Sequence, residues 1–193
     1  SVTETRIEAA RHANPLTFLP GNIPISQHIE RLLKGGVEFV ACYADLNNFK
    51  PFNDQYGYWR GDEMIRLVAR LALANCDPQR DFVGHVGGDD FIILYQSANW
   101  REQCHAFVNE FARCAVELFD VSAREAGGIH AEDRHGVQRF FPLTTISVGA
   151  VKVSGGELSS AEQVASMAAR AKHDAKGAGD GLFVLTAADV NPR

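Results

Sequence analysis

No apolar run in this 193-residue chain approaches the ~20 residues needed to span a bilayer. No basic-then-apolar segment opens it as a secretion signal would. Membrane contact by this chain is therefore not expected. Positive charge is also scarce: 19 Lys and Arg stand against 24 Asp and Glu, for a net charge of −5. That balance argues against a nucleic-acid partner. A polyphosphate would have to be held by local lysines, backbone N–H groups and metal, not by the global field. The four cysteines, Cys42, Cys76, Cys104 and Cys114, show no CxxC spacing. They sit mostly in apolar contexts and read as reduced core residues of a cytoplasmic protein, not as a zinc site or disulfide framework. Internal repeats and low-complexity stretches are missing. The chain has no initiating Met and opens in a helical pattern, so it is expected to be a domain of a longer protein.

What is present is ordinary for one globular domain with a proper core: 46% hydrophobic and 22% charged residues. The most informative stretch is Phe82–Tyr95, FVGHVGGDDFIILY. Two β-rich runs, Phe82–Val86 and Phe91–Tyr95, flank Gly87-Gly88-Asp89-Asp90. Gly-Gly between such runs predicts a tight hairpin, because its turn needs positive φ. Glycines there also let backbone approach a ligand without a Cβ clash. Asp89 and Asp90 then stand side by side at a strand–turn junction. They repel unless a cation sits nearby, and a divalent metal or metal–phosphate answers that need.

Ser1–Ala13 reads as a short helix with capping-box spacing between Ser1 and Glu4. Asn14–Ile25, carrying Pro15, Pro20, Gly21 and Pro24, reads as a loop, and Ser26–Leu33 as a helix. Val37–Asp45 is apolar at both parities, which predicts a central strand buried on both faces. It delivers Asp45 to a strand end, a common place for a ligand site, although Asp there can also cap the next turn. Asn47–Trp59 reads as a polar loop with a short helical piece, and Glu63–Asn75 as an amphipathic helix that Asp62 could cap. Trp100–Ser122 is expected to be the longest helix, with a core aromatic stripe. Arg124–Gly136 reads as a surface insertion or hairpin whose His130 and His135 are solvated. Leu143–Val153 alternates as a strand, Ala161–Lys176 is a small-residue helix, and Leu182–Leu185 closes the chain as a strand. Lys172 and Lys176 lie one helical turn apart, and Lys172 is expected to be a solvated charge.

Gly87-Gly88-Asp89-Asp90-Phe91 resembles the signature of the GGDEF family, the diguanylate cyclases, with Asp for the fourth-position Glu. Ala44–Asp62 is similar to a second block of that family, with Asp45, Phe49, Lys50, Asn53, Asp54, Gly57, Gly61 and Asp62 in register. Ser147-Val148-Gly149 and Ala175-Lys176 match two further elements. The resemblance runs from about Asn14 to Leu185. It implies a linker or signalling helix over 1–13 and a GGDEF domain over 14–193. The implied fold is an α/β (α+β) nucleotidyl-cyclase-like palm, with a central, mostly antiparallel five-stranded sheet flanked by helices.

The implied activity is condensation of two GTP into cyclic di-GMP and pyrophosphate by a homodimer, within a larger bacterial signalling protein. Mg²⁺ or Mn²⁺ would be held by Asp45, the Leu46 carbonyl, Asp89 and Asp90, with Asp89 and Asp90 catalytic. Nucleotide would meet Asn53 and Asp62 at the guanine edge, and Phe49, Lys50, Gly87, Gly88 and Lys176 elsewhere. Partners would be GTP, a second protomer and other domains of the parent protein. Departures matter: Ile23, His85 and Asp180 stand where the family carries Arg, and Asp90 is one methylene short. These favour a second reading, a GTP-binding regulatory module controlling an attached domain such as a cyclic di-GMP phosphodiesterase. The family's inhibitory product site is expected to be lost. Pro78 replaces its Arg, although Asp81 is retained.

Overall fold

The computed structural model describes residues 1–176 and 181–186. Helix α1 (Val2–Arg11) buries no residue and starts on the predicted capping box, Glu4 N donating to Ser1 Oγ at 3.3 Å. Helix α2 (Asn22–Lys34) begins inside the stretch expected to be a loop. The prolines misdirect the reading: Pro24 falls in the first turn, where a missing N–H costs nothing. Strand β1 (Phe39–Asn47), helices α3 (Phe49–Tyr56) and α4 (Tyr58–Ala74), and strands β2 (Phe82–Gly87) and β3 (Asp90–Tyr95) follow. Next come α5 (Trp100–Ala115), α6 (Val121–Ala126), β4 (Gly128–Glu132), β5 (Gln138–Pro142), β6 (Thr145–Val153), α7 (Ala161–Ala175) and β7 (Leu182–Thr186).

Two helix expectations are corrected. Helix α4, at 17 residues, is longer than α5, at 16. The pattern over Trp100–Ser122 is broken because Phe119 turns extended and Asp120 caps a new helix, accepting from Ala123 N at 2.8 Å. Helix α4 starts at Tyr58, not Glu63, so Asp62 lies within it and Gly57 holds the cap position.

The main sheet has five strands in the order β2-β3-β1-β6-β7. Only the β6–β7 pair is parallel. The expected mixed α/β sheet flanked by helices is therefore observed, and β1 is central and buried on both faces as its composition requires. Val40, Cys42, Ala44 and Leu46 enter one core with α4 and α5 residues such as Val68 and Phe107. Phe39 and Ala41 enter the other with Ile29 of α2 and Val164, Ala168 and Ala171 of α7. The period-2 alternation of a strand fixes this division. Gly149 on β6 makes the α7 contact possible: a Cβ there would overlap the backbone of Ala171 and Lys172. All four cysteines are free thiols, Cys42 and Cys104 fully buried. No helix among the described residues is long and apolar enough to cross a membrane.

Candidate functional site

The alternation that sends Phe39 and Ala41 toward α7 continues along β1 to Tyr43, Asp45 and Asn47. Beyond Ala171 the same face of α7 therefore meets polar partners. Lys176, at the end of α7, donates to Asp45 Oδ1 at 2.9 Å and Asn47 Oδ1 at 3.0 Å. Lys172 lies 3.3 Å from Asp45 Oδ2 and 3.5 Å from Asp90 Oδ1, with its ammonium 4.6 Å from the Tyr43 ring centroid. Its side chain is only 18% exposed. The expectation that Lys172 is a solvated charge is wrong, because Gly149 lets α7 settle low enough on the sheet for its lysines to reach β1. Burial alone would lower the Lys172 pKa, but Asp45 and Asp90 outweigh it and raise it.

Asp90 joins through strand register. Ala44 pairs with Phe91, so Asp45 and Asp90 are the next positions out on neighbouring strands. Like charges opposed across a sheet repel, and Lys172 sits between them. The glycine turn delivers Asp89: Gly88 has φ of +52°, and a bulge shifts register between His85 and Gly87. Burial, then the neighbouring Asp90, push the Asp89 carboxyl above the usual carboxylate range.

His85, which stands where the family carries Arg, is buried. Gly88 O can only accept, so His85 Nε2 donates to it at 2.8 Å. Nδ1 then accepts from Thr17 Oγ1, also at 2.8 Å. The ring stacks on Phe91 at 4.2 Å. Burial lowers its pKa against the opposing pull of Gly88 O and the two aspartates. His85 is thus a neutral strut behind the signature turn.

These elements border an open cleft of about 830 Å³. It is lined by Asp45, Leu46, Phe49, Lys50, Asn53, Asp89 and Lys176 of the anticipated residues. Asn53 Oδ1 is buried without a hydrogen-bond partner, beside Gly61. Lys50 is engaged by Asp54 at 2.7 Å on the exposed rim. Asp62 is exposed on α4, directly after Gly61, which packs beside Asn53 Oδ1. Gly87, Gly88 and Asp90 border the acidic cluster without lining the cleft. Asp180 lies outside the described residues.

The far wall was missed at the sequence level: Arg134, His135, Arg139 and Phe141 come from the β4–β5 hairpin. Asp133 orders its turn, accepting from His135 N and Val137 N and pairing with Arg139. The Gly- and charge-rich composition announced a hairpin but not where it leans.

Asp45, Asp89, Asp90 and the Leu46 carbonyl are hard oxygen donors suited to Mg²⁺ or Mn²⁺. Among the described residues, no three His, Cys, Asp or Glu side chains converge to hold a metal ion by themselves.

A mostly antiparallel five-stranded sheet with carboxylates at adjacent strand ends, opposite helix-borne lysines, defines a cyclase-type palm domain. The chain belongs to the GGDEF family: the model described as "Diguanylate cyclase, GGDEF domain" matches residues 12–181. It is 31% identical over 137 residues to diguanylate cyclase DgcZ of Escherichia coli, covering 69% of this chain and 44% of that protein. It is 33% identical over 95 residues to the bifunctional diguanylate cyclase/cyclic di-GMP phosphodiesterase MucR of Pseudomonas aeruginosa, covering 47% of this chain and 14% of that protein. The chain thus spans less than half the length of these relatives. In fold it resembles the coiled coil and GGDEF domain of DgcB from Caulobacter crescentus, solved in complex with c-di-GMP. The TM-score is 0.67 and the identity 19%, covering 95% of this chain and 91% of that one.

Proposed function

We propose that this domain condenses two GTP molecules into cyclic di-GMP and pyrophosphate as a homodimer, as the catalytic domain of a larger signalling protein. The observation that carries the reading is convergence. Asp45 from β1, Asn53 from α3, Asp89 from the glycine turn and Lys176 from the end of α7 line one cleft. Asn53, with its Oδ1 buried beside Gly61, offers its amide N–H donors to the guanine edge. Lys176 and Lys50 neutralise phosphate charge, and Arg134 and Arg139 of the hairpin wall face the same space. In this reading Asp89, its carboxyl raised by burial and by Asp90, takes the proton of the attacking 3′-hydroxyl. The 3′-oxygen bonds to the α-phosphorus of the second GTP as the bond to pyrophosphate breaks. Asp45, the Leu46 carbonyl, Asp89 and Asp90 would hold Mg²⁺ or Mn²⁺, which when bound stabilises the charge developing on phosphate oxygens. Each domain holds one GTP, so two must face each other. Helix α1 would be the linker that brings a signal to residues 14–193.

A second reading, a GTP-binding regulatory module, is favoured by one observation: both oxygens of Asp45 are already paired with lysines. Incubation with GTP and Mg²⁺ at high protein concentration separates the readings. Cyclic di-GMP and pyrophosphate appearing together establish the cyclase. Calorimetric GTP binding without product, even in a domain forced to dimerise, establishes the module instead. Product inhibition is not expected under either reading. Pro78 offers no donor, and the Asp81 carboxylate is already bonded to Asp77 N, Gln96 N, Ser97 N and Ser97 Oγ.

A further inference from the structure

Lys172 holds a position that neither a surface charge nor a phosphate ligand explains. Its ammonium is enclosed on three sides by Asp45 Oδ2, Asp90 Oδ1 and the Tyr43 ring. It is the less exposed of the two α7 lysines at the site, 18% against 39% for Lys176. It also does not line the cleft, whereas Lys176 does. A cation between two carboxylates on neighbouring strands does electrostatically what a divalent ion would do there. It cancels their repulsion and fixes their separation. We propose that Lys172 is a resident cation of this acidic strand end. It takes the place of one divalent ion between Asp45 and Asp90, so the site recruits a single ion with its nucleotide. The proposal rests on the cation-assisted nucleotide reading given above, and its test is chosen to be independent of it.

Three features support this role over that of an incidental ion pair. Lys172 contacts two carboxylates from different strands, so removing it leaves two opposed charges and not one. The Tyr43 face adds a cation–π contact that favours a charged group there. Gly149 is required for the approach, since any side chain at that position would displace the backbone of Lys172 itself. Lys172 is therefore a positioning residue. It sets the spacing and the free charge of the pair that substrate and metal would meet.

The test is an Mn²⁺ titration of the whole 193-residue chain without nucleotide, following free Mn²⁺ by electron paramagnetic resonance. Lys172→Met should bind Mn²⁺ more tightly than wild type, on the order of tenfold, the scale of one water-screened charge–charge contact. Lys172→Arg keeps the cation and should stay as weak as wild type. In parallel, Mn²⁺ should raise the melting temperature of Lys172→Met more than that of wild type. If Lys172→Met does not fold, Lys172→Gln, polar but uncharged, carries the same comparison. Equal Mn²⁺ affinity in wild type and the uncharged variant overturns the proposal, as does an arginine variant that binds as tightly as the methionine one. The titration contains no nucleotide, so it decides the role of Lys172 whether or not GTP condensation is found.

Discussion

The β2–β3 hairpin carries aspartate at each end, and the two ends are treated in opposite ways. Asp81, just before β2, has both carboxylate oxygens committed. Oδ1 accepts from Gln96 N and Ser97 N, Oδ2 from Asp77 N and Ser97 Oγ, at 2.7 to 3.1 Å. At the turn, Asp89 faces an open cleft and Asp90 a lysine, and burial raises the Asp89 carboxyl instead of satisfying it. One end spends its charge on holding the chain, and the other keeps its charge available. Residue type does not distinguish them; what occupies the oxygens does.

The contrast is broken most severely at the turn. Asp89→Ala should reduce GTP condensation by at least about 100-fold, the scale of losing one electrostatic or proton-accepting group in a transition state. Its melting temperature should not fall, because the fold disfavours that charge. Surviving activity with a normal melt would remove Asp89 from the chemistry. At the sealed end the signs reverse. Asp81→Ala strands three backbone N–H groups and a hydroxyl. It should cost about 2–4 kcal/mol by urea unfolding, since bonds to a charged acceptor are the stronger class. Turnover per folded molecule should be unchanged.

Between the two ends stands His85, which ties Thr17 to the Gly88 carbonyl. Burial depresses its pKa below the ordinary 6.5. At pH values below that of the unfolded histidine, the unfolded chain binds more protons than the folded one. The stability contributed by neutral His85 is thus complete above about pH 6.5. It is lost as pH falls through the folded pKa, with a slope no steeper than about 1.4 kcal/mol per pH unit for one proton. Unfolding free energies measured from pH 8 to 5 should show this slope in wild type and a smaller one in His85→Gln.

Much of this frame was legible in the sequence. Gly87-Gly88 between two β-rich runs gave the hairpin, and a run apolar at both parities gave the central strand. What escaped were properties of approach. Val164, Ala168, Ala171 and Ala175 mark the buried side of α7, and Lys172 beside them looked free. Only the height at which α7 rests on Gly149 shows that the lysine reaches Asp45. His85 was counted as a missing cation, because a sequence does not show that Thr17 returns beside it. The resemblance put Asp62 with Asn53 at a guanine edge, but the sequence did not show that α4 starts at Tyr58, so that Asp62 lies exposed within the helix and not at its cap. The cleft wall at Arg134 and Arg139 depends on the lean of a hairpin, which composition does not encode.

Lys50 gives the smallest effect. Its pair with Asp54 is exposed, 73% and 53%, and runs Lys-to-Asp along the helix, the less favourable order. Such a pair contributes no more than about 0.5 kcal/mol, so Lys50→Ala and Asp54→Ala should both leave stability nearly unchanged. Their effects on a non-hydrolysable GTP analogue should differ in sign. Loss of Lys50 removes a cation from the phosphate side of the cleft and should weaken binding several-fold at low salt. Loss of Asp54 frees that cation and should strengthen binding slightly. Calorimetry at two ionic strengths separates the cases. If neither variant shifts the affinity, Lys50 is a rim charge, and the strand-end cluster is where this domain keeps its working charge.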